Sequence, residues 1–204
     1  MAAAIQAAVT IKAAGGAGRT ARGRDGLRPG LAVRPPAEPW PAAPETAAAP
    51  LHISSSGGGR LERAVASAPT VREATRRGRS TAVLLADVDG FKAINDTRGH
   101  AAGDDVLRAM AALLRAAAPA GGRAFRIGGD EFALVFECDG EAQAEQIGWE
   151  LRSQARDRLG STLSVGLAVA GTGESDEAVV ARADGALYDV KRQGRDGVRL
   201  ARPA

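Results

Sequence analysis

The segment Phe125-Arg126-Ile127-Gly128-Gly129-Asp130-Glu131-Phe132 constrains this chain more than any other. Two glycines and two acids interrupt an otherwise apolar run. Ala124 to Ile127 predicts one short strand, Phe132 to Phe136 predicts the next, and Gly-Gly-Asp-Glu predicts a tight hairpin turn between them. The expectation is that Gly128 and Gly129 supply positive φ at the turn and let a phosphate approach the backbone. Asp130 and Glu131 then stand at a rigid tip. Two adjacent carboxylates there suit a hard divalent cation of the Mg²⁺ type, which ordinarily also holds substrate phosphates. Taken alone, the same four residues also describe a solvated acidic hairpin. A second acidic element tips the balance. Asp87-Val88-Asp89 follows the apolar run Ala82-Val83-Leu84-Leu85-Ala86, the pattern of a buried strand. Carboxylates at the end of one strand and on a neighbouring hairpin can converge on shared metals, the layout of two-metal phosphoryl transfer.

Composition bounds what surrounds this stretch. A chain of 204 residues suits one domain plus a tail. Only 3% of residues are aromatic although 45% are hydrophobic, so the core must be built from Ala, Val, Leu and Ile. The net charge of +3 fits a polyanionic small molecule and falls short of the concentrated basic face that nucleic-acid binding requires. The single cysteine, Cys138, excludes an intramolecular disulfide and a Cys-rich zinc site; its place at the end of the second hairpin strand reads as packing. His52 and His100 are too far apart in sequence to suggest a histidine metal site. No apolar run is long enough to span a bilayer. The first residues lack the basic n-region of a secretory signal, and the expected location is cytoplasmic.

Residues 1–59 read as a disordered Ala/Pro/Arg-rich tail, with Pro35-Pro36, Pro39, Pro41, Pro44 and Pro50 breaking any regular element and Ser54-Ser55-Ser56-Gly57-Gly58-Gly59 as a linker. The folded unit is expected over 60–204. Arg60 to Arg77 has a helical period broken at Pro69. Ser80 to Asp87 predicts the first core strand, Phe91 to Thr97 a helix, and Ala102 to Ala117 a long alanine-rich helix. The hairpin follows, then an amphipathic helix over Glu141 to Arg158, a strand over Leu163 to Ala170, a helix over Asp176 to Arg192 and a short strand over Gly197 to Leu200. This order predicts an α+β fold, a helix-flanked mixed β-sheet with a central hairpin.

Phe125 to Phe132 together with Asp87-Val88-Asp89-Gly90-Phe91-Lys92-Ala93-Ile94-Asn95-Asp96 resembles the GGDEF family of diguanylate cyclases, and the resemblance runs from about Arg60 to Arg199. It implies a GGDEF-type catalytic domain over 60–204 with the palm fold of nucleotide polymerases and cyclases, and the active site on the central hairpin. It implies condensation of two GTP into cyclic di-GMP with release of two pyrophosphates, across a homodimer because one domain carries one half-site, in a pathway with downstream cyclic di-GMP effectors. Asp87, the backbone carbonyl of Val88, and Asp130 are implied ligands of Mg²⁺ or Mn²⁺, two ions per active site. Glu131 is implied as base or second-metal ligand, and the sequence does not separate the two. Lys92, Lys191, and the backbone of Gly90, Phe91, Gly128 and Gly129 are implied triphosphate contacts. Asn95 and Asp104 are implied to select guanine: a buried carboxylate accepting both N–H groups of its Watson–Crick edge is left unpaired by adenine. Arg126 is expected to brace the hairpin carboxylates or a phosphate. Ser164, Gly166 and Gly194-Arg195 also match the family and read as structural.

Two features depart from the family pattern. Where the family enters through Asp-x-Leu-Thr-Gly-Leu-x-Asn-Arg, this chain has His52-Ile53-Ser54-Ser55-Ser56-Gly57-Gly58-Gly59-Arg60. Where many members hold inhibitory product on an Arg-x-x-Asp before the hairpin, this chain has Pro119 and Gly122, so no inhibitory product site is expected. The altered entry keeps a competing reading in play, a GTP-binding or protein-docking module that does not turn over.

Overall fold

The computed structural model describes residues 52–53, 74 and 76–202. The tail before residue 52 and most of the helical stretch expected over Arg60 to Arg77 lie outside the described residues. The elements are β1 (His52–Ile53), β2 (Ser80–Val88), α1 (Phe91–Arg98), α2 (His100–Ala117), β3 (Arg123–Arg126), β4 (Glu131–Cys138), α3 (Glu141–Leu159), β5 (Leu163–Val169), α4 (Asp176–Arg192) and β6 (Gly197–Ala201). They form one sheet in the order β1-β3-β4-β2-β5-β6. It is mixed as expected. β2 runs antiparallel to both β4 and β5, and β3 runs antiparallel to β4. β1 joins β3 and β6 joins β5 in parallel. The short strand β1 falls inside what the sequence reads as tail.

The period of two along β2 sorts the core into two layers. Ala82, Leu84, Ala86 and Val88 face α1, α2 and α3, whose apolar positions Ile94, Val106, Met110, Leu114, Leu151 and Ala155 close one side. Val83 and Leu85 face the other side, where Val179, Val180, Ala183 and Leu187 of α4 cover them. Phe132, Leu134 and Phe136 of β4 point to the first layer, Ala133 and Val135 to the second. Cys138 is fully buried in the first layer, as packing predicts. Asp87 and Glu131 are odd-numbered like Val83 and Ala133, so both belong to the α4 face.

A clamp locks α4 to the strand ends. The guanidinium of Arg182 donates to Glu174 Oε1 at 2.8 Å and Oε2 at 2.7 Å, to the carbonyl of Val169 at 2.7 Å and to the carbonyl of Ala201 at 2.5 Å. Glu174 also accepts the Gly171 N–H at 2.8 Å. The arginine hydrogen bonds, with help from that amide, hold the Glu174 carboxyl below its ordinary pKa. A carboxyl lowered on folding contributes stability above its unfolded pKa, and loses it as pH falls through the folded value. Arg182→Ala should therefore destabilise the domain by about 3 kcal/mol near neutral pH. In urea titrations the gap between wild type and variant should narrow below the carboxyl range. A gap independent of pH would exclude the Glu174 contribution.

Candidate active site

The antiparallel register of β2 and β4 sets Asp87 directly opposite Glu131. Directly opposed residues share a face, so the two carboxylates are brought together by strand pairing alone. The pairing extends one step beyond the strand, where the Val88 N–H donates to the Asp130 carbonyl at 3.2 Å. That bond draws Asp130 to the end of β2. Both Asp130 and Glu131 lie near enough to Asp87 to oppose its ionisation.

The hairpin is wider than a two-residue turn. β3 ends at Arg126 and β4 begins at Glu131, leaving Ile127 to Asp130 as a four-residue connection. The Ile127 and Gly128 amides donate to the Glu131 carbonyl at 2.9 and 3.2 Å. Neither Gly128 nor Gly129 has positive φ, which corrects the expectation from turn chemistry. Gly128 leaves room for Glu131: a Cβ there would lie 2.5 Å from Glu131 Oε2 and 3.1 Å from Glu131 Cβ, so the Glu131 side chain would have to shift. The bare backbone lets the Glu131 side chain fold against the turn. Arg126 braces this turn through its backbone rather than through the carboxylates. Its Nε donates to the carbonyls of Gly128 and Gly129 at 3.2 Å each, and its terminal nitrogen donates to Gly129 at 2.7 Å.

Asp87 is 8% exposed. Burial pushes its carboxyl pKa up, and the Lys191 ammonium works in the opposite direction. Lys191 Nζ donates to Asp87 Oδ2 at 2.5 Å. α4 thus delivers Lys191 to the carboxylates, a contact the sequence reading did not anticipate, since it gave this lysine to the triphosphate alone.

Among the described residues, no three His, Cys, Asp or Glu side chains are arranged to hold a metal ion. The donor set still suits Mg²⁺ or Mn²⁺ of the substrate-completed type. Such an ion takes one or two carboxylates and leaves other positions to phosphates and water. The ammonium against buried Asp87 marks where this site places positive charge.

Beside the carboxylates, α1 presents its N-terminus. Gly90 caps it in the left-handed conformation, φ 70°, and the Ile94 N–H makes the first bond of the helix back to the Gly90 carbonyl at 3.2 Å. The amides of Phe91, Lys92 and Ala93 precede that bond, an arrangement that favours an anion. Lys92 is exposed on this first turn. Further along, Asn95 packs against α2 so closely that a Cβ on Gly103 would lie 2.0 Å from its Oδ1. Asn95 thus packs on α2 at the residue before Asp104. Asp104 itself is exposed rather than buried, because the buried stripe of α2 runs through Gly103, Val106, Leu107 and Met110 and Asp104 lies off it.

Sequence reasoning gave Asp89, the last residue of the second acidic element, no role of its own. The structure turns it to β5, where it accepts hydrogen bonds from Thr162 and Ser164. Asp196, Arg152 and Arg156 near it were missed altogether, since their partners lie some 40 residues apart along the chain and no local pattern reports such contacts.

The strand-paired acidic hairpin thus lies beside a helix N-terminus, with Lys191 on Asp87 and Lys92 on the first turn of α1. Residues 66–197 match the family model for "Diguanylate cyclase, GGDEF domain". The chain belongs to the GGDEF-domain family. It is 37% identical over 139 residues to the response regulator PleD of Caulobacter vibrioides, an alignment covering 63% of this chain and 31% of PleD. It is 36% identical over 132 residues to the diguanylate cyclase VdcA of Vibrio cholerae, covering 59% of this chain and 39% of VdcA. The matched part is thus well under half of either relative. Among solved structures, the GGDEF domain of DgcB from Caulobacter crescentus, in complex with c-di-GMP, superposes with a TM-score of 0.60 at 36% identity, covering 69% of this chain and 85% of that one. Among the described residues, no helix is long and apolar enough to cross a membrane.

Proposed function

We propose that this chain is a diguanylate cyclase, joining two GTP into cyclic di-GMP and releasing two pyrophosphates. Each 3′-hydroxyl attacks the α-phosphate of the other GTP. One domain offers one half-site, so turnover requires two copies face to face. The observation that carries this reading is the register that sets Glu131 opposite Asp87, with Asp130 tied to the end of β2.

Asp87, the Val88 carbonyl, Asp130 and Glu131 would hold two Mg²⁺ or Mn²⁺ ions. When bound, these supply charge neutralisation on the phosphates, activation of the hydroxyl and stabilisation of the leaving pyrophosphate. The α1 amides and Lys92 bind the triphosphate, and Lys191 moves between Asp87 and the phosphates as a point charge. Asn95 and Asp104 take the guanine edge, and Asp104 loses its exposure when the base covers it. Arg126 keeps the hairpin in the shape that presents Glu131. The bend at Gly122, whose amide donates to the Pro119 carbonyl at 2.8 Å, leaves no room for an aspartate side chain: a Cβ there would lie 2.9 Å from that same oxygen. Product inhibition through this position is not part of the reading. A cytoplasmic location and cyclic di-GMP effectors as downstream partners complete it.

Incubation of the purified chain with GTP and Mg²⁺, followed by liquid chromatography and mass spectrometry, tests the proposal. Cyclic di-GMP should appear, with a rate per protein that rises with protein concentration. GTP bound yet unconverted at high concentration would reassign the chain as a non-catalytic GTP-binding module.

A further inference from the structure

We propose that Asp89 is a positioning residue for the triphosphate, tying the turn that carries Gly90, Phe91 and Lys92 to the turn that follows Lys191. The inference rests on the proposed role of those two lysines. Asp89 is 8% exposed and its carboxylate is heavily engaged. Oδ1 accepts the Ser164 hydroxyl at 2.7 Å, while Oδ2 accepts the Thr162 hydroxyl at 2.7 Å and the Asp196 amide at 3.1 Å. Its own amide donates to the Thr162 carbonyl at 3.0 Å, and its carbonyl accepts the Ser161 hydroxyl at 2.6 Å. Arg195 Nε stands 4.0 Å from Oδ1. Three of roughly four acceptor positions are filled by protein donors, so this carboxylate serves the protein's own scaffold.

The far partner is the informative one. Arg195 and Asp196 have φ of 66° and 50°, two consecutive non-glycine residues in the left-handed region. Side chains adopt that conformation only where surroundings enforce it. The enforcing contacts are the Asp196 amide on Asp89 and the Asp196 carboxylate on Arg152, at 2.8 Å, and on Arg156. The same turn closes α4, with the Arg195 amide donating to the Val190 carbonyl at 3.0 Å. Lys191 follows Val190 directly. Asp89 therefore holds the end of the helix that bears one lysine while being the residue before the left-handed Gly90 that starts the helix bearing the other. Their separation is set through this carboxylate.

Titration of wild type, Asp89→Ala and Asp89→Asn with GTP and separately with GMP, in EDTA to prevent turnover, tests this. Asp89→Ala should weaken GTP binding about tenfold and leave GMP within about twofold, and Asp89→Asn should lose less, since it keeps one carbonyl acceptor. Parallel loss for GTP and GMP, or unchanged GTP affinity in a folded variant, overturns the proposal. If Asp89→Ala fails to fold, Thr162→Val removes one donor without touching either turn. It should weaken GTP alone, by about threefold, and unchanged GTP affinity there overturns the proposal equally. A wild type that prefers GTP over GMP yet makes no cyclic di-GMP would refute the cyclase reading while leaving this one standing.

Discussion

Asp130→Ala is expected to reduce cyclic di-GMP synthesis by about a thousandfold or more while the fold is retained. The two halves of that statement come from different atoms of one residue. The carboxylate is the implied metal ligand at the hairpin tip. The backbone carbonyl accepts the Val88 amide, and alanine keeps that bond. Asp130 is not among the buried residues of the core, so removing its side chain leaves no cavity in a packed layer. Product formation by mass spectrometry together with a thermal melt separates the outcomes. Undiminished product would sink the assignment of Asp130 to the metal. Lost product with a collapsed melting transition would instead give the side chain a structural part.

The second large effect is on stability. Gly166 lies in the middle of β5 under α4, and a Cβ there would lie 2.3 Å from both the Ala183 carbonyl oxygen and the Leu187 amide nitrogen, and 2.7 Å from Leu187 Cα. These are backbone atoms of a helix, and no rotamer change relieves the overlap. Gly166→Ala should cost about 3 kcal/mol, roughly 10 °C in Tm for a domain of this size. The helix must lift from the sheet to admit the methyl group, and Lys191 rides on it. Loss of the Lys191–Asp87 pair should therefore accompany the loss of stability. A melting temperature within a degree or two of wild type would show that α4 packs less closely on β5 than these distances state.

From Ser80 onward the order of elements was legible because two signals coincide there, while β1, inside the expected tail, was not. Apolar runs of strand length are separated by glycine and proline, and the helices carry apolar residues at a 3.6 period. The predicted bounds differ from the observed ones by one or two residues, as at Leu159 and Ala201, where the last residue of an element is chosen by packing partners. The acidic motifs were legible for another reason. Asp87 and Glu131 each sit at a strand end, and an antiparallel pair of strands must bring such ends together. What could not be read was anything set by the third dimension of a side chain. Gly128 looked like a φ-driven turn glycine, and only the position of the Glu131 side chain shows it to be a clearance. Asp104 looked buried because a selective carboxylate should be; the angular position of residue 104 on α2 exposes it.

Sequence alone thus determined which family this chain belongs to, that the two hairpin strands pair in a mixed sheet, and that the acidic motifs stand at strand ends, since these follow from local pattern. Tertiary structure alone decided how those charges are spent. Lys191 turns to Asp87, Arg126 to the turn carbonyls, and Asp89 to Thr162, Ser164 and Asp196. The choices at Asp87 and Asp89 satisfy buried carboxylates whose partners arrive from distant parts of the chain, whereas Arg126 reaches carbonyls two and three residues away; a buried carboxylate takes the donors that packing brings within reach.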